Sequence, residues 1–400
     1  MDLQFDPKLD AFREEVRGFL KENLTEDVIR RSRSGMHPPN EDDRRWWNNV
    51  LNDKGWAAPA WPKEHGGTGW SLIERHIFEM ECRMAGAPEL RWQGLRLIGP
   101  VIYTFGTEQQ KQRYLPKILS GEEQWAQGFS EPEAGSDLAS LRTSAVLDGD
   151  EYVINGQKLW TTEAYYSEMG FFLCRTDPTV KKQAGISMFL FDMKTPGVTV
   201  RPISMINGDD STAEVFLENV RVPKDAMLGN PGSAWDQAKF LLGNERTSSA
   251  DIDKAYHDLS RIKAIARGEK KNGKPLIEDQ QFRRELTLLE LEVEALEWAV
   301  LRVLYEAPSN FNIMARASVL KIRGSSLQQK LSEFAIKTLG QRSLRLYSRE
   351  QGFNAATDNA NWPIYTPGIT ADMLYARAFT IYGGAMEVQK NIIAKVAFGL

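Results

Sequence analysis

Cysteine is scarce: Cys82 and Cys174 are the only two in 400 residues. Two thiols can build neither a disulfide framework nor a zinc cluster, so a chain of this length must rely on apolar cores for its stability. They fit a reducing compartment, and the expected location is cytoplasmic. Histidine is nearly as rare. His37, His65, His76 and His257 form no i,i+4 pair, which leaves hydrolytic metal chemistry little to work with, and no metal site is expected. No apolar run approaches the ~18 residues of a membrane helix, and the acidic start at Met1 and Asp2 does not read as a signal peptide. A basic excess is missing too. Fifty Lys and Arg face 54 Asp and Glu, for a net charge of −4 and a pI near 5.8, so no overall field gathers nucleic acid. Glycine and proline together make about 12% of the chain, which excludes collagen-like or linker-dominated organisation. What is present is ordinary globular material, 42% apolar and 26% charged. At ~150 residues per domain it should form two to three domains.

The pattern along the chain is α, then β, then α. Phe5, Leu9, Phe12, Val16, Phe19, Leu20 and Leu24 follow the 3–4 spacing of a one-sided helix. Turn formers make Gly55–Trp70 irregular. Helical patterns resume over Ser71–Ala85 and Thr107–Leu119, where Thr107 can cap and Glu108 favours the positive helix end. Near residue 125 the texture changes to short β-rich runs: Tyr152–Ile154, Phe171–Cys174, Gly185–Phe191, Val198–Ile203, Val215–Leu217 and Val220–Val222. Asn155-Gly156 predicts a tight turn between strands. Beyond residue 236 helices return, and Leu286, Leu289, Val293, Leu296, Val300 and Val303 step as on a bundle helix. The expectation is an α+β chain with an N-terminal α-helical domain (1–125), a middle antiparallel β domain (126–235) and a C-terminal four-helix bundle (236–400).

Several segments carry a resemblance. Ser130-Glu-Pro-Glu-Ala-Gly-Ser-Asp137, Asn155-Gly-Gln-Lys-Leu-Trp-Thr-Thr162, Gly106-Thr-Glu-Gln-Gln-Lys111, Asn244-Glu-Arg246 and Ile381-Tyr-Gly-Gly384 stand in the order and at the spacing of the acyl-CoA dehydrogenase family. The chain resembles that family over essentially its whole length. Within it, the segments from Trp61 to Trp70, Gly128 to Pro132, Leu241 to Arg246 and Tyr382 to Glu387 resemble the large subunit of bacterial pimeloyl-CoA dehydrogenase. The resemblance implies FAD as cofactor, with Gln127, Phe129, Ser130 and Ser136 lining the flavin and its phosphates and Trp160 and Thr162 flanking the ring. It also places Gln280, Ala385 and Glu387 at the cofactor and Tyr382 at the substrate pocket. Taken alone, the Ser/Gly loop reads first as an ordinary turn and Trp160 as a core aromatic; the joint spacing of the motifs is what points to a flavin site.

The reaction implied is α,β-dehydrogenation of an acyl-CoA thioester to the trans-2-enoyl-CoA. A desolvated carboxylate removes the α-proton and the β-hydrogen leaves as hydride to flavin N5. Members of the family carry that base either after the Tyr of a YEGT segment or before an Arg on a bundle helix. Here the first position holds Gly383 and the second Glu245, so the resemblance makes Glu245 the base. Gly383 keeps an N–H for the thioester oxygen, and Arg246 orients the site. Glu beside Arg also reads as a plain surface ion pair.

Departures from the family pattern suggest a divided site. Glu269 and Asn272, ahead of Gly273, stand where homotetrameric members carry an Arg and a Phe that reach a neighbouring subunit's flavin. Glu133 replaces a loop glycine, and Ala385 replaces a hydroxyl residue. A second acyl-CoA dehydrogenase-like subunit in an α2β2 tetramer would complete the flavin site; a homotetramer is the other arrangement. Electron-transfer flavoprotein is the expected electron acceptor. The Gly86–Pro100 segment corresponds to the family's acyl-pocket lining and holds Arg91 and Arg96. At ~100° per residue they diverge on a helix, so at most one could meet an acyl carboxylate. A dicarboxylyl or bulky acyl group is expected; an acyl-CoA oxidase or a flavin-poor scaffold subunit are the alternatives.

Overall fold

A computed structural model of the chain describes residues 6–36, 39–244, 250–305, 313–354, 363 and 365–400. Six helices open it: α1 (Pro7–Asn23), α2 (Glu26–Arg33), α3 (Glu41–Lys54), α4 (Leu72–Ala85), α5 (Gly99–Phe105) and α6 (Glu108–Ser120). Their starts are set by local chemistry. Ser71 and Glu74 form a capping box on α4, and Thr107 and Gln110 form one on α6, each satisfying two amides that the first turn leaves without helical partners. The Gly55–Trp70 stretch is irregular apart from one short turn at Lys63–His65.

Eight strands follow: β1 (Trp125–Gly128), β2 (Ser144–Asp148), β3 (Glu151–Thr162), β4 (Met169–Arg175), β5 (Ile186–Asp192), β6 (Val198–Pro202), β7 (Thr212–Pro223) and β8 (Met227–Leu228). They form one sheet in the order β6-β7-β3-β2-β4-β5-β8, with β1 added beside β4. The sheet is not wholly antiparallel, since β1 and β2 both run parallel to β4. Val215–Leu217 and Val220–Val222 belong to a single strand, β7.

Asn155-Gly156 is not a turn but lies inside β3, at a bulge opposite β7. The Asn155 side chain accepts the Asn219 amide at 2.8 Å, and a Cβ at position 156 would stand 2.4 Å from Thr143 Oγ1. The glycine is therefore required by a close crossing of strands, and the β2–β3 turn falls instead at Gly149 (φ 64°). A different Asn-Gly does turn. Asn272 (φ 53°) and Gly273 (φ 80°) join the two-residue strands β9 (Lys270–Lys271) and β10 (Lys274–Pro275).

The remaining helices are α7 (Ala234–Asn244), α8 (Ile252–Gly268), α9 (Gln280–Tyr305), α10 (Ile313–Leu339), α11 (Arg349–Phe353), α12 (Ile369–Tyr375) and α13 (Met386–Ala397). The 3–4 stripe on α9 buries Leu286, Val293, Leu296 and Val300 against Leu259 and Ile262 of α8 and Leu327 and Leu331 of α10.

Alternation along β4 gives the sheet two buried faces. Phe171 and Leu173 pack with Ile98 and Ile102 of the helical domain and Leu241 of α7, whereas Phe172 and Cys174 pack with Ile154, Phe189 and Val215. That double burial explains the continuous apolar run of β4. It also welds the N-terminal helices to the sheet.

Candidate active site

The end of β3 is the most unusual backbone in the sheet. A second register irregularity falls between Lys158 and Thr161, where Leu159 and Trp160 stand opposite the single residue Glu214 of β7. Trp160 takes a left-handed φ of 60° and is 56% exposed. That conformation costs a bulky residue about 1–2 kcal/mol, and a large exposed indole adds to the cost, so the arrangement is one expected at functional positions. The Leu159 amide donates to the Ser130 carbonyl at 2.9 Å, drawing the loop after β1 against the bulge. Ser130, Trp160 and the exposed Thr162 therefore share one corner of the sheet.

A buried ion pair fixes that corner. Lys158 Nζ donates to Glu131 Oε1 at 2.7 Å, to the Leu173 carbonyl at 2.7 Å and to the Phe129 carbonyl at 3.3 Å. The Glu131 carboxylate also accepts the amides of Arg142 at 2.6 Å and Thr143 at 2.9 Å. Burial pushes the Glu131 carboxyl up, but Lys158 and these amides outweigh it and hold the group below the usual carboxylate range. Lys158, with no exposed surface, is lowered by burial despite its partner. The acidic residue of the first motif and the lysine of the second are thus partners that lock loop to strand.

The other expected cofactor residues lie as follows. Gln127 is half-buried on β1. Phe129 is buried, its ring edge-on to Phe171 at 5.6 Å, so only its backbone is available to a ligand. Ser136 is exposed beside Gly135, which has open space where a side chain would stand. Glu133 pairs outward with Arg142 at 2.8 Å. Gln280 is exposed at the start of α9, in the bundle and not on the sheet, while Ala385 and Glu387 begin α13.

Gly383 (φ 64°) and Gly384 (φ 94°) are both left-handed, a backbone that disfavours a glutamate at this place. Lys321 Nζ lies 3.6 Å from where a Cβ at 383 would begin and 4.9 Å from the centre of the Tyr382 ring. Burial, and then the neighbouring Tyr375, push the Tyr382 hydroxyl well up. Asp251, left-handed at φ 46°, has its carboxyl pushed up to about 6 by burial and by Asp253. Glu245 and Arg246 lie outside the described residues.

The two arginines part company, although not for the helical-angle reason. Arg91 precedes the helix, and a π-helical turn spans Gln93–Ile98. Arg91 is buried, with Nη2 on Glu41 at 2.6 Å and Nε 3.8 Å from Glu163. Arg96 is exposed and pairs with Glu79 at 2.9 Å. Both charges are matched within the chain. Glu269 is matched as well, by Arg342 and by the Tyr365 hydroxyl at 2.9 Å.

Sequence reasoning assigned no role to Glu131, Lys158 or Glu163. The first two stood inside the quoted motifs. The third carried no signal, because its partners Arg44 and Arg91 are 119 and 72 residues away in the chain.

Sequence models of the acyl-CoA dehydrogenase N-terminal, middle and C-terminal domains match residues 6–122, 126–220 and 232–398. The chain belongs to the acyl-CoA dehydrogenase family and is an oxidoreductase enzyme. It is 35% identical over 401 residues to acyl-CoA dehydrogenase IpdE1 of Mycobacterium tuberculosis, covering 98% of each chain. Among solved structures it is similar to the Tcur3481-Tcur3483 steroid ACAD, with a TM-score of 0.83 at 29% identity over 100% of this chain and 99% of that one. The ChsE4-ChsE5 complex from Mycobacterium tuberculosis gives a TM-score of 0.80 at 28% identity, over 100% and 99% of the respective chains. No helix among the described residues is long and apolar enough to cross a membrane.

Proposed function

We propose that this chain is an FAD-dependent dehydrogenase of a bulky acyl-CoA thioester and works in a heteromeric complex. The reading is carried by the Trp160 corner: a strained, exposed indole beside Thr162, stitched to the Ser130 loop by the Leu159–Ser130 hydrogen bond and the Glu131–Lys158 pair. Those residues fit a flavin, which needs an apolar stacking face with hydroxyl and amide donors at its rim. Trp160 and Thr162 would hold the ring, while Ser130, Ser136 and the backbone at Gly135 would hold the phosphates. Bound FAD would supply the two-electron acceptor.

The chain's own residues would do the rest. Glu245 takes the α-proton, and Gly383 offers its amide to the thioester oxygen. Its left-handed backbone fits the placing of the carboxylate elsewhere. Arg91 and Arg96, the two arginines of the expected acyl-pocket segment, are each matched by a carboxylate of this chain, which favours a bulky acyl group over a dicarboxylyl one. The steroid ACAD relative points the same way. Two-component relatives, together with a Glu269 tied to Arg342 and Tyr365, support a second dehydrogenase-like subunit in an α2β2 assembly. Electron-transfer flavoprotein would take the electrons onward.

The test is Glu245→Gln in the flavin-loaded protein. Turnover of acyl-CoA should fall by at least ~10³-fold with flavin content and melting temperature unchanged. Unchanged turnover would overturn the assignment of the base.

A further inference from the structure

We infer that Glu163, held by Arg44 and Arg91, is a positioning residue that sets the place and the electrostatic surroundings of the Trp160–Thr162 strand end. The inference rests on the FAD reading above. Glu163 follows Thr162 directly and is itself left-handed, at φ 61°. Its amide donates to the Ser211 carbonyl at 2.6 Å, and its carbonyl accepts from the Tyr166 amide at 3.0 Å and the Ser167 hydroxyl at 2.9 Å. The backbone can therefore move little at this point.

Its carboxylate is where three parts of the chain meet. Arg44 of α3 bonds Oε1 and also donates to the Glu89 carbonyl at 2.8 Å. Arg91, on the segment expected to line the acyl pocket, lies 3.8 Å from Oε2 and stacks over the Tyr166 ring at 5.5 Å. Arg91 also donates to Glu41, from Nη2 at 2.6 Å and from Nε at 3.1 Å. The strand end, the expected acyl-pocket wall and α3 are thus registered to one another through a single buried carboxylate.

Stability alone does not explain the arrangement. Desolvating such charges commonly costs more than their attraction returns, and apolar side chains could fill the same volume. Glu163 Oε2 and Arg91 Nη1 are moreover buried with no hydrogen bond among the described residues. What the cluster does provide is a fixed field. Arg45 pairs with Glu41 at 2.8 Å and with Glu168 at 2.9 Å, so Arg44, Arg45 and Arg91 face Glu41, Glu163 and Glu168 and the cluster sums to zero charge; the strand end beside the ring site sits next to a neutral but strongly polar group. Removing one charge unbalances it with a known sign, and low-dielectric surroundings transmit the change.

The experiment is redox titration of the flavin-loaded protein against a reference dye, without substrate, alongside FAD affinity and thermal melts. Glu163→Gln leaves an unmatched positive charge and should favour the electron-rich reduced flavin at least tenfold, about 30 mV upward for a two-electron couple. Arg91→Gln leaves an unmatched negative charge and should shift the equilibrium the opposite way. The double variant should return toward the wild-type potential. All three should melt at lower temperature, so melting alone does not separate a positioning role from a structural one, whereas opposite signs and their cancellation do. Should Glu163→Gln fail to fold, Arg91→Gln keeps the Arg44–Glu163 contact and carries the test by itself. Variants that bind FAD but shift the flavin equilibrium by less than tenfold, under about 30 mV, would overturn the inference and leave the FAD reading intact. A wild-type protein that takes up no FAD, alone or with its partner subunit, would overturn both.

Discussion

Lys158→Met is the sharpest test of how the site is built. The ammonium has no exposed surface and donates to Glu131, Leu173 and Phe129 at 2.7, 2.7 and 3.3 Å. Methionine fills most of the volume, so the perturbation is chiefly electrostatic: Glu131 stays buried with two amide donors and no cation. Leaving one member of a buried pair uncompensated costs about 3–5 kcal/mol. At about 2–4 °C per kcal/mol for a domain of moderate size, melting should drop by roughly 6–20 °C. The pH dependence has a definite sign. In the wild type the Glu131 carboxyl lies below its ordinary value, so the stability it contributes is present above about pH 4.3 and is lost as pH falls. Without Lys158, burial dominates and raises that carboxyl, so the variant's deficit should be largest near pH 7 and shrink toward pH 4. Lys158→Met with Glu131→Gln removes both charges but keeps one accepting oxygen for two amides, since Arg142 and Thr143 bond separate oxygens of Glu131; it should recover part of the loss and stay about 1–3 kcal/mol below the wild type. Denaturant melts of the three proteins at pH 4.5, 6 and 7.5 measure this. A Lys158→Met cost below about 1 kcal/mol at pH 7.5, or a deficit independent of pH, would refute the reasoning.

Other expectations follow from single features. Trp160→Gly relieves the left-handed strain at φ 60° and should leave stability equal or raised by about 1 kcal/mol, while FAD affinity, read by fluorescence titration, falls at least tenfold. Gly67→Ala places a Cβ 1.7 Å from the Trp61 carbonyl oxygen and should cost about 2–3 kcal/mol or more in a denaturant melt. Asp251, pushed up to about 6, contributes stability that is fully present below its unfolded value near 4 and is lost as pH rises through 6. Asp251→Asn should therefore match the wild type at pH 4 and exceed it at pH 8 by up to about 3 kcal/mol, checked by melts at the two values.

The parts of this molecule legible in its sequence are those written in local spacing. The α9 stripe from Leu286 to Val303, the Ser71 and Thr107 helix starts and the apolar run of β4 each follow from residues within one or two turns or strands of one another. Asn155-Gly156 misled because the same dipeptide serves a hairpin turn and a close strand approach, and only the approach of Thr143, just before β2, decides between them. Asn272-Gly273 met no such neighbour and turned. Glu131 and Lys158 stood in plain view within their motifs, yet their pairing across 27 residues needed the fold. In the sequence at most one of Arg91 and Arg96 suits an acyl carboxylate; Glu41 and Glu163, distant in sequence, match the charge of Arg91 in the fold.

Anaerobic titration of the purified flavin-loaded protein with acyl-CoA thioesters, following flavin absorbance, tests the central claim most directly. The account predicts that a bulky acyl-CoA bleaches the flavin in proportion to the thioester added and that Glu245→Gln abolishes the bleaching. A protein that binds flavin under these conditions and is bleached by no thioester, with or without a second subunit, would contradict it.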